Sequence, residues 1–194
     1  MHQNPLNIAV FASGSGTNAA NIFDYFLPKS TAKVRLLVTN NPKAGVMAVA
    51  SDRGMTVLVL SPEDVRDGSK TAELLIRDGI DVIVLAGYLK LVPDAIIRAY
   101  EGRIVNLHPA LLPHHGGPGM YGSHVHRAVK AAADSRTGIT LHYVSAEYDR
   151  GEVIAQFETA VMPADTEADI EAKVRKLEKT HLPVALETWM KTIH

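Results

Sequence analysis

Five short aliphatic and β-branched runs are separated by stretches of helical pattern, and this alternation most restricts what the chain can become. The runs cover residues 7–12 (NIAVFA), 34–39 (VRLLVT), 55–60 (MTVLVL), 81–86 (DVIVLA) and 103–107 (RIVNL). They are continuous rather than alternating, as in strands covered by helices on both faces. Helical patterns occupy residues 17–27, 44–53, 69–78 and 94–99. Such alternation predicts βαβ units and a parallel sheet. The C-terminal part differs. Residues 138–144 alternate, with Ile139, Leu141 and Tyr143 on one face and Thr140, His142 and Val144 on the other. Residues 152–162 read as the antiparallel partner, joined through Asp149-Arg150-Gly151. Residues 168–190 read as a long closing helix, kinked or broken near Pro183. The expected fold class is α/β: a Rossmann-like, mostly parallel sheet flanked by helices, with a C-terminal antiparallel strand pair and a long closing helix.

Composition narrows the function classes. With 46% hydrophobic and 21% charged residues, the 194-residue chain can build one domain around a real core. A net charge of -1 supplies no overall field toward nucleic acid or anionic lipid, so neither is expected as a partner. The chain has 0 cysteines, which excludes a thiolate nucleophile, an iron–sulfur cluster and Cys-ligated zinc. Its apolar runs fall short of the roughly 18 residues of a membrane span. The polar residues 1–5 lead straight into a strand, so no signal peptide is expected and a cytoplasmic location is.

In an open parallel sheet, ligands bind beyond the carboxyl ends of the strands. After the first strand comes Ser13-Gly14-Ser15-Gly16-Thr17-Asn18-Ala19, in which Gly14, Gly16 and Ala19 match G-x-G-x-x-G/A. Such glycines let backbone approach an anion at the positive end of the following helix. The plain alternative is a tight turn with Thr17 capping the helix. A dinucleotide site would need an acidic residue after the second strand, where Thr39-Asn40-Asn41 stands instead, so no NAD is expected. No Lys follows the second glycine, as a Walker A loop requires. A phosphomonoester site remains.

Val105-Asn106-Leu107-His108-Pro109 is the most informative stretch. Asn106 and His108 are two apart on an extended segment and share one face. An amide and an imidazole on one face suit an oxyanion, and an imidazolium can deliver a proton. Asp149 lies in a turn between the two late strands, where a carboxylate within reach of His108 would raise the imidazole pKa and keep it protonated. The implied reaction is attack of a neutral amine on an activated carbonyl through a tetrahedral intermediate. Three plain readings stay open: a capping Asn, a structural His, and an Asp that only forms a turn.

Four stretches in order carry a resemblance to a known family. They are the loop from Ser13 to Asn18, Leu85-Ala86-Gly87-Tyr88-Leu89-Lys90, Asn106-Leu107-His108-Pro109-Ala110-Leu111-Leu112-Pro113, and Gly138-Ile139-Thr140-Leu141-His142 with Tyr148-Asp149-Arg150-Gly151. Together they closely resemble the phosphoribosylglycinamide formyltransferases, folate-dependent enzymes of purine synthesis, over essentially the whole chain. The resemblance implies a single formyltransferase domain over 1–194, with a phosphate-binding half at about 1–100 and a folate and catalytic half at about 101–194. The implied reaction moves the formyl group of 10-formyltetrahydrofolate, a cosubstrate, to the amine of glycinamide ribonucleotide (GAR). Asn106 and His108 would stabilise the oxyanion, and Asp149 would hold His108 protonated and help move the proton. Gly16, Thr17 and Asn18 would take the GAR phosphate, with Glu178 on the ribose hydroxyls and Arg175 one turn before it. The pterin would lie on Leu89, Lys90, Leu91 and Val92 and on Ser145, Ala146, Glu147, Tyr148 and Asp149. Lys70 falls near the place of a basic residue for the folate tail, and His142 supports the same site. A monomer or homodimer is expected.

The chain departs from the family pattern in two places. Between Pro113 and His126-Arg127 it reads His114-His115-Gly116-Gly117-Pro118-Gly119-Met120-Tyr121-Gly122-Ser123-His124-Val125, longer than the common form and readable as a mobile lid or an ordered flap beside His108. Lys90 stands where Arg is common. Six of the nine histidines (His108, His114, His115, His124, His126 and His142) cluster between residues 108 and 142, which makes a metal site the rival reading. Ligand pairs on a helix sit four apart, unlike His124 and His126, so no metal is expected. Related formyltetrahydrofolate hydrolases and methionyl-tRNA formyltransferases would be expected to carry a further domain, and sugar-nucleotide formyltransferases appended segments. A plain binding protein would not need Asn106, His108 and Asp149 together.

Overall fold

The computed structural model describes residues 4–193, so residues 1–3 of the polar N-terminal stretch and residue 194 lie outside the described residues. Two compact units emerge, one reaching to Val105 (with Ile193) and one covering Asn106–Thr192.

The first unit is a parallel sheet covered by helices. Its strands are β1 (Leu6–Phe11), β2 (Ala32–Thr39), β3 (Val57–Val59) and β4 (Val82–Leu85), alternating with α1 (Thr17–Phe26), α2 (Val46–Asp52), α3 (Pro62–Arg66), α4 (Ser69–Arg77) and α5 (Asp94–Ala99). β1 pairs in parallel with β2 on one side (Leu6 opposite Ala32) and β4 on the other (Ile8 opposite Val82), and β2 pairs with β3. Ile8, Ala9, Val10 and Phe11, and all four residues of β4, are buried, so both faces of these strands are covered. That is why their sequences run apolar without alternation. From α1, Ala19, Ile22 and Phe26 enter the core at helical spacing. β3 is shorter than its apolar run because it lies at the outer end of the sheet, with Val59 exposed.

β5 (Ile104–His108) begins in the first unit and ends in the second. There follow α6 (Ser123–Ala131), β6 (Arg136–Tyr143), β7 (Val153–Ala160) and α7 (Glu167–Met190). Strand pairing runs β3-β2-β1-β4-β5-β6-β7. β6 and β7 pair antiparallel from Arg136 opposite Ala160 to His142 opposite Val153, with a register shift between Leu141 and His142. Every residue of β6 from Thr137 to His142 is buried, so its polar positions face protein as its apolar ones do. Gly138 is required there, because a Cβ would overlap the Phe157 carbonyl.

α7 runs unbroken through Pro183, so of the kink or break expected there the break does not occur. Proline in a helix interior costs about 3 kcal/mol. Leu182, Pro183, Leu186 and Trp189 are all buried, and that packing holds the helix together across the missing N–H. α6 begins at Ser123, just past the glycine-rich residues 116–122 expected as a flap. Val125, His126 and Val129 are its buried residues, a helical spacing already present in the sequence.

Candidate active site

The carboxyl end of β5 carries Asn106 and His108, β6 carries His142, and the loop between β6 and β7 brings in Asp149; all four belong to the second unit. Asp149 has φ 55°, the left-handed region, which Asp tolerates better than most residues because its short side chain hydrogen-bonds locally. Gly151, two residues on, cannot be replaced, because a Cβ there would overlap the Tyr143 carbonyl.

The cluster is closely connected. His108 Nδ1 lies 3.5 Å from Asp149 Oδ2, and His142 Nε2 lies 3.5 Å from Asp149 Oδ1. Asn106 Nδ2 is 3.0 Å from His142 Nε2 and donates to Asp149 Oδ1 at 3.4 Å. His108 Nε2 is 2.8 Å from the His115 carbonyl, and His142 Nδ1 is 2.8 Å from the Tyr143 carbonyl. Since a carbonyl only accepts, these contacts set the tautomers. Neutral His108 carries its proton on Nε2 and presents a bare Nδ1 to Asp149. Neutral His142 carries its proton on Nδ1, which leaves Nε2 to accept from Asn106.

Electrostatics differ from the expectation for His108. Burial, the largest influence, pushes its imidazole below the ordinary histidine value. The Asp149 charge and the His115 carbonyl oppose this but do not overcome it. The ring is therefore not held protonated as the sequence reading expected, because a side chain only 3% exposed loses more by desolvation than one carboxylate returns. Burial pushes Asp149 up, but hydrogen bonds from a protonated His142 ring and the Gly117 N–H, with the positive charge that His108 and His142 carry when protonated, hold its carboxyl below the usual carboxylate range.

The glycine-rich stretch contributes backbone to this cluster. Gly117 N donates to Asp149 Oδ2 at 2.8 Å, and the His115 carbonyl takes the proton of His108 Nε2. His115 has φ 54°, and its own ring contacts Asp134 Oδ2 at 2.6 Å. A partly buried network fixes the segment between β5 and this stretch. Thr140 Oγ1 donates to the Ala110 carbonyl and accepts from Leu112 N, while Gln156 Nε2 donates to both the Leu112 carbonyl and Thr140 Oγ1. Sequence reading missed His115, Gly117, Asp134, Thr140 and Gln156. Thr140 carried a signal, a polar residue within a strand buried on both faces; the backbone groups of His115 and Gly117 carried none.

The other expected residues are placed as follows. In the first unit, Gly16 caps α1 with φ 82° and no side chain caps that helix, so Thr17 is its first residue rather than its cap. The Thr17 hydroxyl instead lies 3.0 Å from Ser15 Oγ. A Cβ on Gly16 would come within 2.7 Å of Val46 Cα, so glycine is needed for packing as well as for φ. Asn18 is half-buried in the first turn of α1. Ser13 ties three strand-end loops together: its hydroxyl donates to Asn40 Oδ1 at 2.6 Å and accepts from Leu89 N, and its N–H bonds Gly87 O. Leu89, Lys90 and Leu91 are exposed and Val92 is buried. Lys70 is exposed and pairs with Glu63 at 3.7 Å. In the second unit, Ser145 is half-buried, while Ala146, Glu147 and Tyr148 are exposed. On α7, Arg175 pairs with Glu171 at 2.6 Å, and Glu178 is half-buried one turn on. Among the described residues no three His, Cys, Asp or Glu side chains gather to hold a metal ion. His124 is exposed and His126 buried, so α6 directs them apart.

Fold and site define an α/β protein in which amide and imidazole donors meet a carboxylate at the end of a parallel strand. The chain matches the formyl transferase family over residues 6–186 and belongs to it. It is 33% identical over 184 residues to the phosphoribosylglycinamide formyltransferase of Bacillus subtilis, covering 92% of each chain. It is 39% identical over 173 residues to the chloroplastic phosphoribosylglycinamide formyltransferase of Arabidopsis thaliana. The chain spans 59% of the length of that plant relative, and 55% of a second from Vigna unguiculata. Among solved structures, glycinamide ribonucleotide transformylase 1 from Geobacillus kaustophilus superposes with a TM-score of 0.87 at 35% identity, over 96% of this chain and 100% of that one.

Proposed function

We propose that this chain transfers the formyl group of 10-formyltetrahydrofolate to the amine of GAR, giving formyl-GAR and tetrahydrofolate in purine synthesis. The observation that carries the reading is the convergence of Asn106, His108 and Asp149, with His108 Nδ1 at 3.5 Å and Asn106 Nδ2 at 3.4 Å from the same carboxylate. The names carried by the relatives agree with it.

The chemistry follows from these groups. The neutral GAR amine attacks the formyl carbon, a nitrogen–carbon bond forms, and the carbonyl oxygen becomes an oxyanion. His108 Nε2–H and an Asn106 N–H donate to that oxygen as its charge grows. The new negative charge adds to that of Asp149 and raises the proton affinity of the imidazole at the step that needs an acid. The proton lost by the attacking nitrogen passes to the His108–Asp149 pair, His108 delivers one from Nε2 to the folate nitrogen N10, and the bond from the formyl carbon to N10 breaks, which returns the pair to its starting protonation. No oxidant and no water are consumed.

GAR binding falls to Gly16, Thr17 and Asn18 for the phosphate, at the uncapped N-terminus of α1, and to Arg175 and Glu178 for the ribose. Folate falls to Leu89, Lys90, Leu91 and Val92, to Ser145, Ala146, Glu147 and Tyr148, and to Lys70 for its acidic tail. His142 sets the Asn106 carboxamide. The reading places the chain in the cytoplasm as a monomer or homodimer; no helix among the described residues is long and apolar enough to cross a membrane. The test is a spectroscopic assay of formyl loss from 10-formyltetrahydrofolate with and without GAR. GAR-dependent loss with formation of formyl-GAR is expected; loss independent of GAR would make the chain a hydrolase and overturn the reading.

A further inference from the structure

The donors that an oxyanion needs already have protein partners in this structure. The His115 carbonyl holds His108 Nε2–H at 2.8 Å, and Asn106 Nδ2 lies against His142 at 3.0 Å and Asp149 at 3.4 Å. The His115 carbonyl is thus a built-in stand-in for the substrate oxygen. Gly117, two residues on, binds Asp149 Oδ2 through its N–H, so one strap covers both the acid and the carboxylate. The strap is held from outside. The His115 ring contacts Asp134 Oδ2 at 2.6 Å, and Asp134 lies just past the end of α6, at the start of the turn into β6. Positive φ is uncommon for a residue other than glycine, and at φ 54° His115 is held by contacts on both its carbonyl and its ring.

Resting on the formyl-transfer reading, we propose that His115 and Asp134 form a latch that keeps a peptide carbonyl on His108 Nε2, and that the formyl donor must displace this carbonyl before reaction. The latch makes the binding-competent state a fraction of the population, and an apparent affinity falls by that fraction. The pair is partly exposed, with side chains 16% and 38% accessible. Pairs of this exposure bias an equilibrium about two- to fivefold.

Two variants test the latch. Asp134→Ala removes the acceptor. His115→Asn removes the imidazole but keeps a residue that tolerates positive φ. In substrate-free protein, the ¹⁵N resonance of His108 Nε2 reports the carbonyl contact and needs no activity. Both variants are expected to shift it, and to lower the KM for 10-formyltetrahydrofolate about two- to fivefold with the GAR KM unchanged. An unmoved Nε2 resonance in folded Asp134→Ala protein overturns the latch. A shifted resonance with unchanged or raised KM for the folate overturns the displacement. If the chain does not transfer formyl groups at all, the resonance still decides whether the latch exists, so the two failures are separable.

Discussion

Replacing Asp149 by Asn isolates charge from shape. The two side chains have nearly the same volume, and Asn also tolerates the φ of 55° that this position requires. The amide oxygen can still accept from Gly117 N, so the strap keeps its partner. What disappears is a negative charge 3.5 Å from His108 Nδ1. At an effective dielectric of about 20, a unit pair at that separation interacts by about 5 kcal/mol. Residual solvation takes back part of this, which leaves a barrier increase equivalent to roughly a thousandfold in rate. Asp149→Asn is therefore expected to lower kcat/KM for formyl transfer by about three orders of magnitude while the protein stays folded. Its effect on stability has a definite sign. The Asp149 carboxyl sits below its ordinary range in the folded state, so its contribution is present above the unfolded value and vanishes as pH falls through the depressed one. The variant is thus less stable than the parent near neutrality, and the gap closes in acid. Steady-state kinetics with 10-formyltetrahydrofolate, together with urea melts across pH, supply both readouts. Turnover within about tenfold of the parent, in a variant that melts cooperatively, would refute the role given to the carboxylate.

Asn106→Ala is expected to reduce kcat by about 100- to 1,000-fold, the usual cost of one oxyanion donor, with little change in the GAR KM; equal loss in both would indicate structural damage. Gly14→Ala is expected to raise the GAR KM severalfold with an unchanged or raised melting temperature, because a Cβ at Gly14 meets nothing within 4 Å, whereas Gly16 cannot accept one without moving Val46. His126, buried with no hydrogen-bond partner on Nδ1, should make folding acid-sensitive: burial depresses its folded pKa, Arg175 adds to this, and Glu171 and Glu167 oppose it. The unfolded chain then binds protons first as pH falls below about 6.5, and stability erodes from there toward the folded value. His126→Leu should lessen the loss of unfolding free energy between about pH 7.5 and about pH 5.5, and an identical loss in parent and variant would exclude His126 as a cause.

What was legible in the sequence was whatever a side-chain type at a topological position discloses. Continuous apolar runs announced β1, β4 and the end of β2 from Leu36, because strand segments covered on both faces have few polar positions to alternate. Asn106 and His108 were conspicuous as polar residues at the carboxyl end of such a strand, where an open sheet binds ligands. Asp149 was visible as a candidate, but its distance from His108 was not, since a loop between strands fixes no register. Of the kink or break expected at Pro183, the break does not occur, because burial of Leu182, Leu186 and Trp189 outweighs the proline penalty. Local rules misjudged the protonation of His108. A carboxylate neighbour can be inferred from sequence, but the desolvation that opposes it depends on how completely the rest of the unit covers the ring. The features that most change the view of the site, the His115 carbonyl and the Gly117 N–H, are groups that nearly every residue possesses. Their significance lies entirely in where a non-glycine residue at positive φ and its partner Asp134 aim them. Donors that already have protein partners are therefore a property of the folded loop, and under the proposed reading they make loop displacement part of the binding equilibrium of the formyl donor.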